Sequence, residues 1–231
     1  QDPTLRAIMD FKNITTMKSK FLDGAEKCTK HNKHNYSHAT PRLFGTVTGR
    51  MTYSNKTFRK YFIGLAQHQI PRQGPIKGVM SGDEDEYVVH FDAAAQELRF
   101  IGQIANEKSI IRAFNEGKDL HSDMASDIAG WSYEKMMSEF HNKESELYTE
   151  AYNFRQAGKL TNLSCQYRIG ANSLAKKFFT TYQIFIDQRT SYHYLNTYKR
   201  RYPGVVAYWD AAIKLAKEKG YAESIGGRRL R

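Results

Sequence analysis

Apolar and basic positions alternate at helical spacing through residues 4–21, which predicts a helix ending near Gly24. Residues 28–48 turn polar and then β-like, punctuated by Pro41, Gly45 and Gly49. A basic and aromatic stretch at 55–65 runs into 69–82, where Pro71, Gly74, Pro75, Gly78 and Gly82 predict irregular chain. The run Tyr87-Val88-Val89-His90-Phe91 is short, apolar and rich in β formers, and it follows the acidic turn Gly82 to Glu86, so it predicts a buried strand. From Ala93 to Arg201 the pattern is mostly helical, with breaks expected near Gly117, Gly130, His141 and Gly170. Tyr202-Pro203-Gly204 predicts a stop, then a helix over Val205 to Lys219 that Gly220 ends, then a strand within Tyr221 to Ile225. The fold class is therefore α+β, mostly helical, with a small sheet contribution.

Composition narrows the class. The chain has 231 residues, 40% apolar and 26% charged, enough for one or two packed domains and unlike a disordered tail. No apolar run approaches the roughly 20 residues of a membrane helix, so no membrane partner is expected. Cys28 and Cys165 are the only cysteines, which excludes a disulfide scaffold and predicts a reducing, cytoplasmic location. The chain begins at Gln1 rather than Met, which predicts a start partway into a longer protein or after processing. The net charge of +11 is unevenly spread: residues 116–150 are acidic, 151–175 hold Arg155, Lys159 and Arg168 with no acid, and 176–231 are basic. Such a body with an acidic insert suits a polyanion partner with the insert facing away, and it also suits a merely basic protein.

Two segments carry candidate chemistry. Asp92 ends the predicted strand just before a helix, a place that suits a metal ligand or, the commoner role of an Asp there, a helix N-cap. Arg155, Lys159, Leu163 and Tyr167 are spaced by four and share one slowly turning helix face. Arg155 and Lys159 repel each other there, and a multiply charged anion such as a triphosphate would offset them; the alternative is a solvated basic edge. Cys28, His31, His34 and His38 have a spacing open to zinc, against a solvated loop. His90 reads as a core or lining residue, and the aromatic series Phe178, Phe179, Tyr182, Phe185, Tyr192, Tyr194 and Tyr198 as helix packing.

Taken in order, these segments resemble family A DNA polymerases, the bacterial polymerase I type and its phage relatives. Thr48-Gly49-Arg50-Met51-Thr52 resembles the family's Thr-Gly-Arg segment, and Gln69-Ile70-Pro71-Arg72 its Asn-Ile-Pro stretch. Asp92-Ala93-Ala94-Ala95-Gln96-Glu97-Leu98-Arg99 resembles motif A, and Gly117-Lys118-Asp119-Leu120-His121 the Asp-Ile-His segment. The basic stripe resembles motif B. Tyr202-Pro203-Gly204-Val205, Gly220-Tyr221-Ala222-Glu223-Ser224 and Gly227-Arg228-Arg229-Leu230 resemble the Arg-Tyr-Pro-Gly and Gly-Tyr-Val-Glu-Thr through Gly-Arg-Arg segments. The resemblance covers about residues 42–231.

The resemblance implies the palm and fingers portion of a right-hand polymerase. Residues 1–41 would connect thumb to palm, 42–115 would be palm with motif A, 116–201 fingers with the motif B helix at about 151–168, and 202–231 a return to the palm. It implies DNA synthesis from deoxynucleoside triphosphates on primer-template DNA, with two Mg²⁺ ions about 3.5–4 Å apart. Asp92 and the carbonyl of Ala93 would bind metal, and Asp92 and Lys159 would serve catalysis. Arg155 and Lys159 would hold the β and γ phosphates, His121 would touch the triphosphate, and Glu97 would be the steric gate against a 2′-hydroxyl. Leu163 would face the sugar and Tyr167 the template or nascent pair. Thr48 and Arg50 would lie near the primer end in the minor groove, and Arg228, Arg229 and the basic C-terminal block would meet DNA.

Departures from the family pattern add expectations. Leu163 stands where an aromatic residue is usual, and Arg168 where glycine is usual. Residues 53–66 read as an insertion, and 116–150 is longer than usual. No His-Asp-Glu tripeptide occurs. The expectation is a fragment or split half lacking the second catalytic carboxylate, completed by a second chain carrying that motif, or else a non-catalytic DNA- and nucleotide-binding module of polymerase descent. A phage source would place it in the host cytoplasm.

Overall fold

Helix α1 (Pro3–Met17) starts on a proline whose fixed φ suits a first helical position. It runs through a π-helical turn (Lys18–Leu22) into α2 (Asp23–His31). Gly24 therefore lies inside a helix instead of ending one. The exposed ion pairs Lys18–Asp23 at 2.9 Å and Lys30–Glu26 at 2.5 Å flank it on either side. The structure, a computed structural model, describes residues 3–31, 40–43, 45–54, 70, 82, 85–87, 89, 91–182 and 184–230. The chain divides into two compact units between Phe91 and Asp92.

In the first unit, Phe21 is buried against Met17, Ala25 and Ile70. Strands β1 (Thr40–Arg42) and β2 (Thr52–Ser54) pair antiparallel with Pro41 opposite Tyr53. The Thr46 hydroxyl ties their connection, accepting from the Arg50 amide at 2.9 Å. Of the strand expected at 87–91, Tyr87, Val89 and Phe91 are described; none of the three lies in a strand, and all are exposed instead of buried. Water serves the backbone of an exposed segment, so strand-forming composition does not by itself require a ladder. Val88 and His90 lie outside the described residues, as do His34 and His38 of the candidate zinc segment and Gln69, Pro71 and Arg72.

The second unit is helical. Its elements are α3 (Gln96–Ile104), α4 (Lys108–Asn115), α5 (Leu120–Ala129), α6 (Tyr133–His141), α7 (Tyr148–Cys165), α8 (Ala171–Tyr182), α9 (Gln188–Arg201) and α10 (Pro203–Lys219). A hairpin of β3 (Ala222–Glu223) and β4 (Arg229–Leu230) closes it. The expected breaks hold: Gly117, Gly130 and Gly220 all sit at φ near +70°, which glycine adopts without strain. Leu98, Ile110, Met124, Leu160, Leu174, Phe178, Tyr198, Tyr202, Val205 and Trp209 form the core. Of the aromatic series, Phe178 and Tyr198 pack there while Phe185 and Tyr192 are exposed.

Two contacts set the geometry. Gly158 on α7 meets α5 so closely that a Cβ there would lie 2.4 Å from the His121 carbonyl oxygen and 2.8 Å from the Ala125 nitrogen. Glu107, buried at the start of α4, accepts from the Ser109 amide at 3.2 Å and from the Gly204 amide of α10 at 2.7 Å.

Candidate functional site

Asp119 caps α5 and gathers the site. Its carboxylate accepts from the His121 amide at 3.1 Å, the Ser122 hydroxyl at 2.8 Å and Arg155 Nε at 2.8 Å. Burial pushes the Asp119 pKa up, but the Ser122 hydroxyl, the Arg155 charge and the His121 amide outweigh it and hold the carboxyl below the usual range. The sequence reading left Arg155 without an acid; the partner comes from α5. Three carboxylates of the acidic segment in fact turn inward, since Asp123 and Asp127 both pair with Arg201. The Arg155 guanidinium also stands 4.7 Å from the centre of the Phe140 ring, a contact that adds cation–π attraction.

His121 lies beneath this pair. Burial depresses its pKa first, Asp119 opposes, and the charges of Arg155 and Lys159 depress it further, to about 4. Its imidazole is neutral at neutral pH, and Nδ1 is buried with no hydrogen-bond partner. Lys159, one turn beyond Arg155, has no carboxylate partner among the described residues. Arg155 and Lys159 of α7 thus place two cations near the neutral imidazole of His121 on α5.

The other end of α7 lies about 16 Å away at 1.5 Å per residue. Here Gln166 donates to Glu97 at 2.8 Å, and its carbonyl accepts from Trp209 Nε1 at 3.0 Å. Leu163 is half-buried between the two ends, and Tyr167 is 64% exposed. Arg168 ends the helix at φ 56° and stands 3.7 Å from Asp210. Glu97 is thus joined to the stripe. Asp119 and Gln166 were assigned no role from the sequence; an Asp directly before a helix start was the available signal for the first, and the second had none.

Asp92 and Ala93 are exposed in the lead to α3. Asp92 is not the N-cap; Ala95, left-handed at φ 51°, holds that place. Among the described residues no three His, Cys, Asp or Glu side chains group as metal ligands. Thr48 and Arg50 lie in the first unit, in the β1–β2 connection. Arg228 and Arg229 lie on the final hairpin, where Arg229 stands over the Tyr221 ring at 4.7 Å.

The whole chain, residues 1–231, matches the model of DNA polymerase family A. It is 26% identical over 225 residues to DNA polymerase I of Rhizobium leguminosarum, covering 97% of this chain and 20% of that protein. Against the thermostable DNA polymerase I of Thermus aquaticus it is 23% identical over 230 residues, covering 98% and 24%. The chain thus spans about a fifth to a quarter of the length of these relatives. The solved POL domain of Pol1 from M. smegmatis, in complex with DNA primer-template and dNTP, shares the fold at a TM-score of 0.69 and 21% identity, over 98% of this chain and 35% of that one. No described helix is long and apolar enough to cross a membrane. With ordered motifs and a family match running its full length, the chain belongs to DNA polymerase family A.

Proposed function

We propose that this chain carries the nucleotide-binding side of template-directed DNA synthesis, in which a primer 3′-hydroxyl attacks the α-phosphate of a deoxynucleoside triphosphate. The observation that carries the reading is the convergence of Arg155, Lys159 and His121 on one patch. Asp119 engages Arg155 through Nε, which leaves the terminal guanidinium nitrogens as a fork for a phosphate. Lys159 adds a mobile point charge one turn on. A polyanion set here offsets the two cations that add to burial in depressing the His121 pKa, so nucleotide binding shifts the imidazole toward protonation.

In this reading Glu97, held by Gln166, stands at the sugar as the gate, Leu163 faces the sugar, and exposed Tyr167 meets the template or nascent pair. Thr48, Arg50, Arg228 and Arg229 meet DNA. Residues 42–115 and 202–231 serve as palm and 116–201 as fingers. Asp92 and the Ala93 carbonyl supply one carboxylate and one carbonyl oxygen. That does not make up the donor set of a two-Mg²⁺ site.

Titration with a fluorescent deoxynucleoside triphosphate tests the reading. Arg155→Ala and Lys159→Ala each remove a charge-assisted contact of about 1.5–3 kcal/mol, which weakens binding roughly ten- to hundredfold. Wild-type affinity in both variants defeats the proposal. Templated incorporation that Asp92→Asn abolishes separates synthesis from nucleotide binding alone.

A further inference from the structure

On another side of α5 lies a cleft of about 400 Å³. Ser109, Arg112 and Glu116 of the α4 region, Lys118, Asp123 and Asp127 of α5, and Arg200 and Arg201 of α9 line it. Asp123 and Asp127 project roughly 120–160° around the helix from His121 at ~100° per residue, so this cleft is distinct from the triphosphate patch. Its four cations divide into two kinds. Arg201 is bound by Asp123 and Asp127, and Lys118 by Glu116 at 3.0 Å. These pairs build the wall. Arg112 and Arg200 have no carboxylate partner among the described residues, and both are exposed.

Positions in the last turns of α4 and α9 suit basic residues next to helix carbonyls. That accounts for each arginine separately and not for both opening on one cleft. Two planar guanidinium forks on the lining of one polar cleft suit a phosphate group, whose oxygens accept from such forks. The Ser109 hydroxyl adds a donor of ordinary strength. The volume falls in the range of small-ligand clefts and is too small to seat a duplex, whereas one backbone phosphate and its sugar fit.

We propose that the Arg112–Arg200 cleft binds the phosphate backbone of a single-stranded nucleic acid, the unpaired template in a polymerase. The assignment rests on the polymerase reading for the identity of the strand. The cleft acts as a second, sequence-independent hold on that strand, away from the nucleotide patch.

The test measures anisotropy of a labelled single-stranded oligodeoxynucleotide with the full 231-residue chain between about 50 and 200 mM salt. Arg112→Ala/Arg200→Ala removes the hold on one phosphate, so the slope of log affinity against log salt shrinks by about 0.7. The charge-matched Lys135→Ala/Lys143→Ala, in the acidic segment 116–150 outside the cleft, shrinks it by less than half as much. Arg112→Lys/Arg200→Lys keeps most of the slope. Equal slopes in the cleft variant and its charge-matched control overturn the proposal. Calorimetry with pyrophosphate separates the two phosphate sources. If the cleft variant loses pyrophosphate binding and keeps the wild-type DNA slope, the cleft serves free phosphate and the strand assignment falls. Triphosphate affinity is unchanged in the cleft variant. Failure of the polymerase reading shows instead in Arg155→Ala and Lys159→Ala with labelled nucleotide, so the two failures are distinguishable.

Discussion

Replacing Gly158 by alanine places a methyl group 2.4 Å from the His121 carbonyl oxygen and 2.8 Å from the Ala125 nitrogen. Both neighbours are helix backbone, so neither moves aside as a flexible side chain would. On an open helix surface the same change stabilises by roughly 0.8–1 kcal/mol through helix propensity. Here α7 must lift off α5 by several tenths of an ångström, and overpacking of a tight interface costs about 1–3 kcal/mol. The opening also strips contacts from Ala125, Ala157 and Leu160, all buried in this region. The expected result is a net loss of about 1–2 kcal/mol, or roughly 2–8 °C in melting temperature for a chain of this size. Urea and thermal unfolding measure it. Gly170→Ala is the control, since a Cβ there meets nothing within 4 Å. The lift also moves Lys159, the next residue, relative to His121, so triphosphate affinity falls with stability. A Gly158→Ala chain as stable as wild type or more so refutes the close-approach reasoning.

His121 gives a pH signature. Its pKa is about 4 in the folded chain against 6.5 ordinarily, so the unfolded chain binds the proton more tightly. The stability this provides is present above pH ~6.5 and is lost as pH falls toward ~4, with about 2 kcal/mol gone at pH 5. His121→Gln flattens that slope in urea titrations. Asp119 acts in a lower window: its lowered pKa gives stability above its unfolded value that disappears only below it. Arg168→Gly relieves a left-handed arginine at φ 56° and raises stability by roughly 1 kcal/mol, because the Asp210 pair it gives up is exposed and weak; a lower melting temperature contradicts this. Gln166→Leu leaves Glu97 without its 2.8 Å donor and lowers the melting temperature by about 3–6 °C; an unchanged melting curve contradicts the link.

Features written in local backbone chemistry were legible. Gly117, Gly130 and Gly220 marked helix ends because the chain turns left-handed there, and Pro203 marked a helix start. The Arg155, Lys159 and Leu163 part of the stripe was legible because helical period aligns it on α7, whereas Tyr167 lies past the helix end at Cys165. Partners distant in sequence were not. Asp119 lies 36 residues from Arg155, and Glu97 lies 69 from Gln166. No period or spacing encodes such meetings, which packing of α3, α5 and α7 creates. Trp209, without a role from the sequence, carries the Gln166 carbonyl and stacks on Tyr198 at 6.1 Å for the same reason. The run Tyr87–Phe91 misled in the opposite sense, since strand composition says nothing about whether a pairing edge is available.

Glu107 binds the start of α4 and the start of α10 with one carboxylate, across 97 residues of chain. The second unit is thereby closed into a loop whose two ends share a single knot. Tying it requires the chain to bring distant segments together before any reward is collected, so this contact forms late in folding. Helices α5 to α9 can assemble beforehand, and the clasp then registers both ends of the unit in one step. A break in the chain within the α6–α7 connection would leave two pieces that still meet at Glu107 and Gly204, at Asp119 and Arg155 and at Asp123 and Arg201, so the clasp is one of several joints through which fragments of this unit would reassemble.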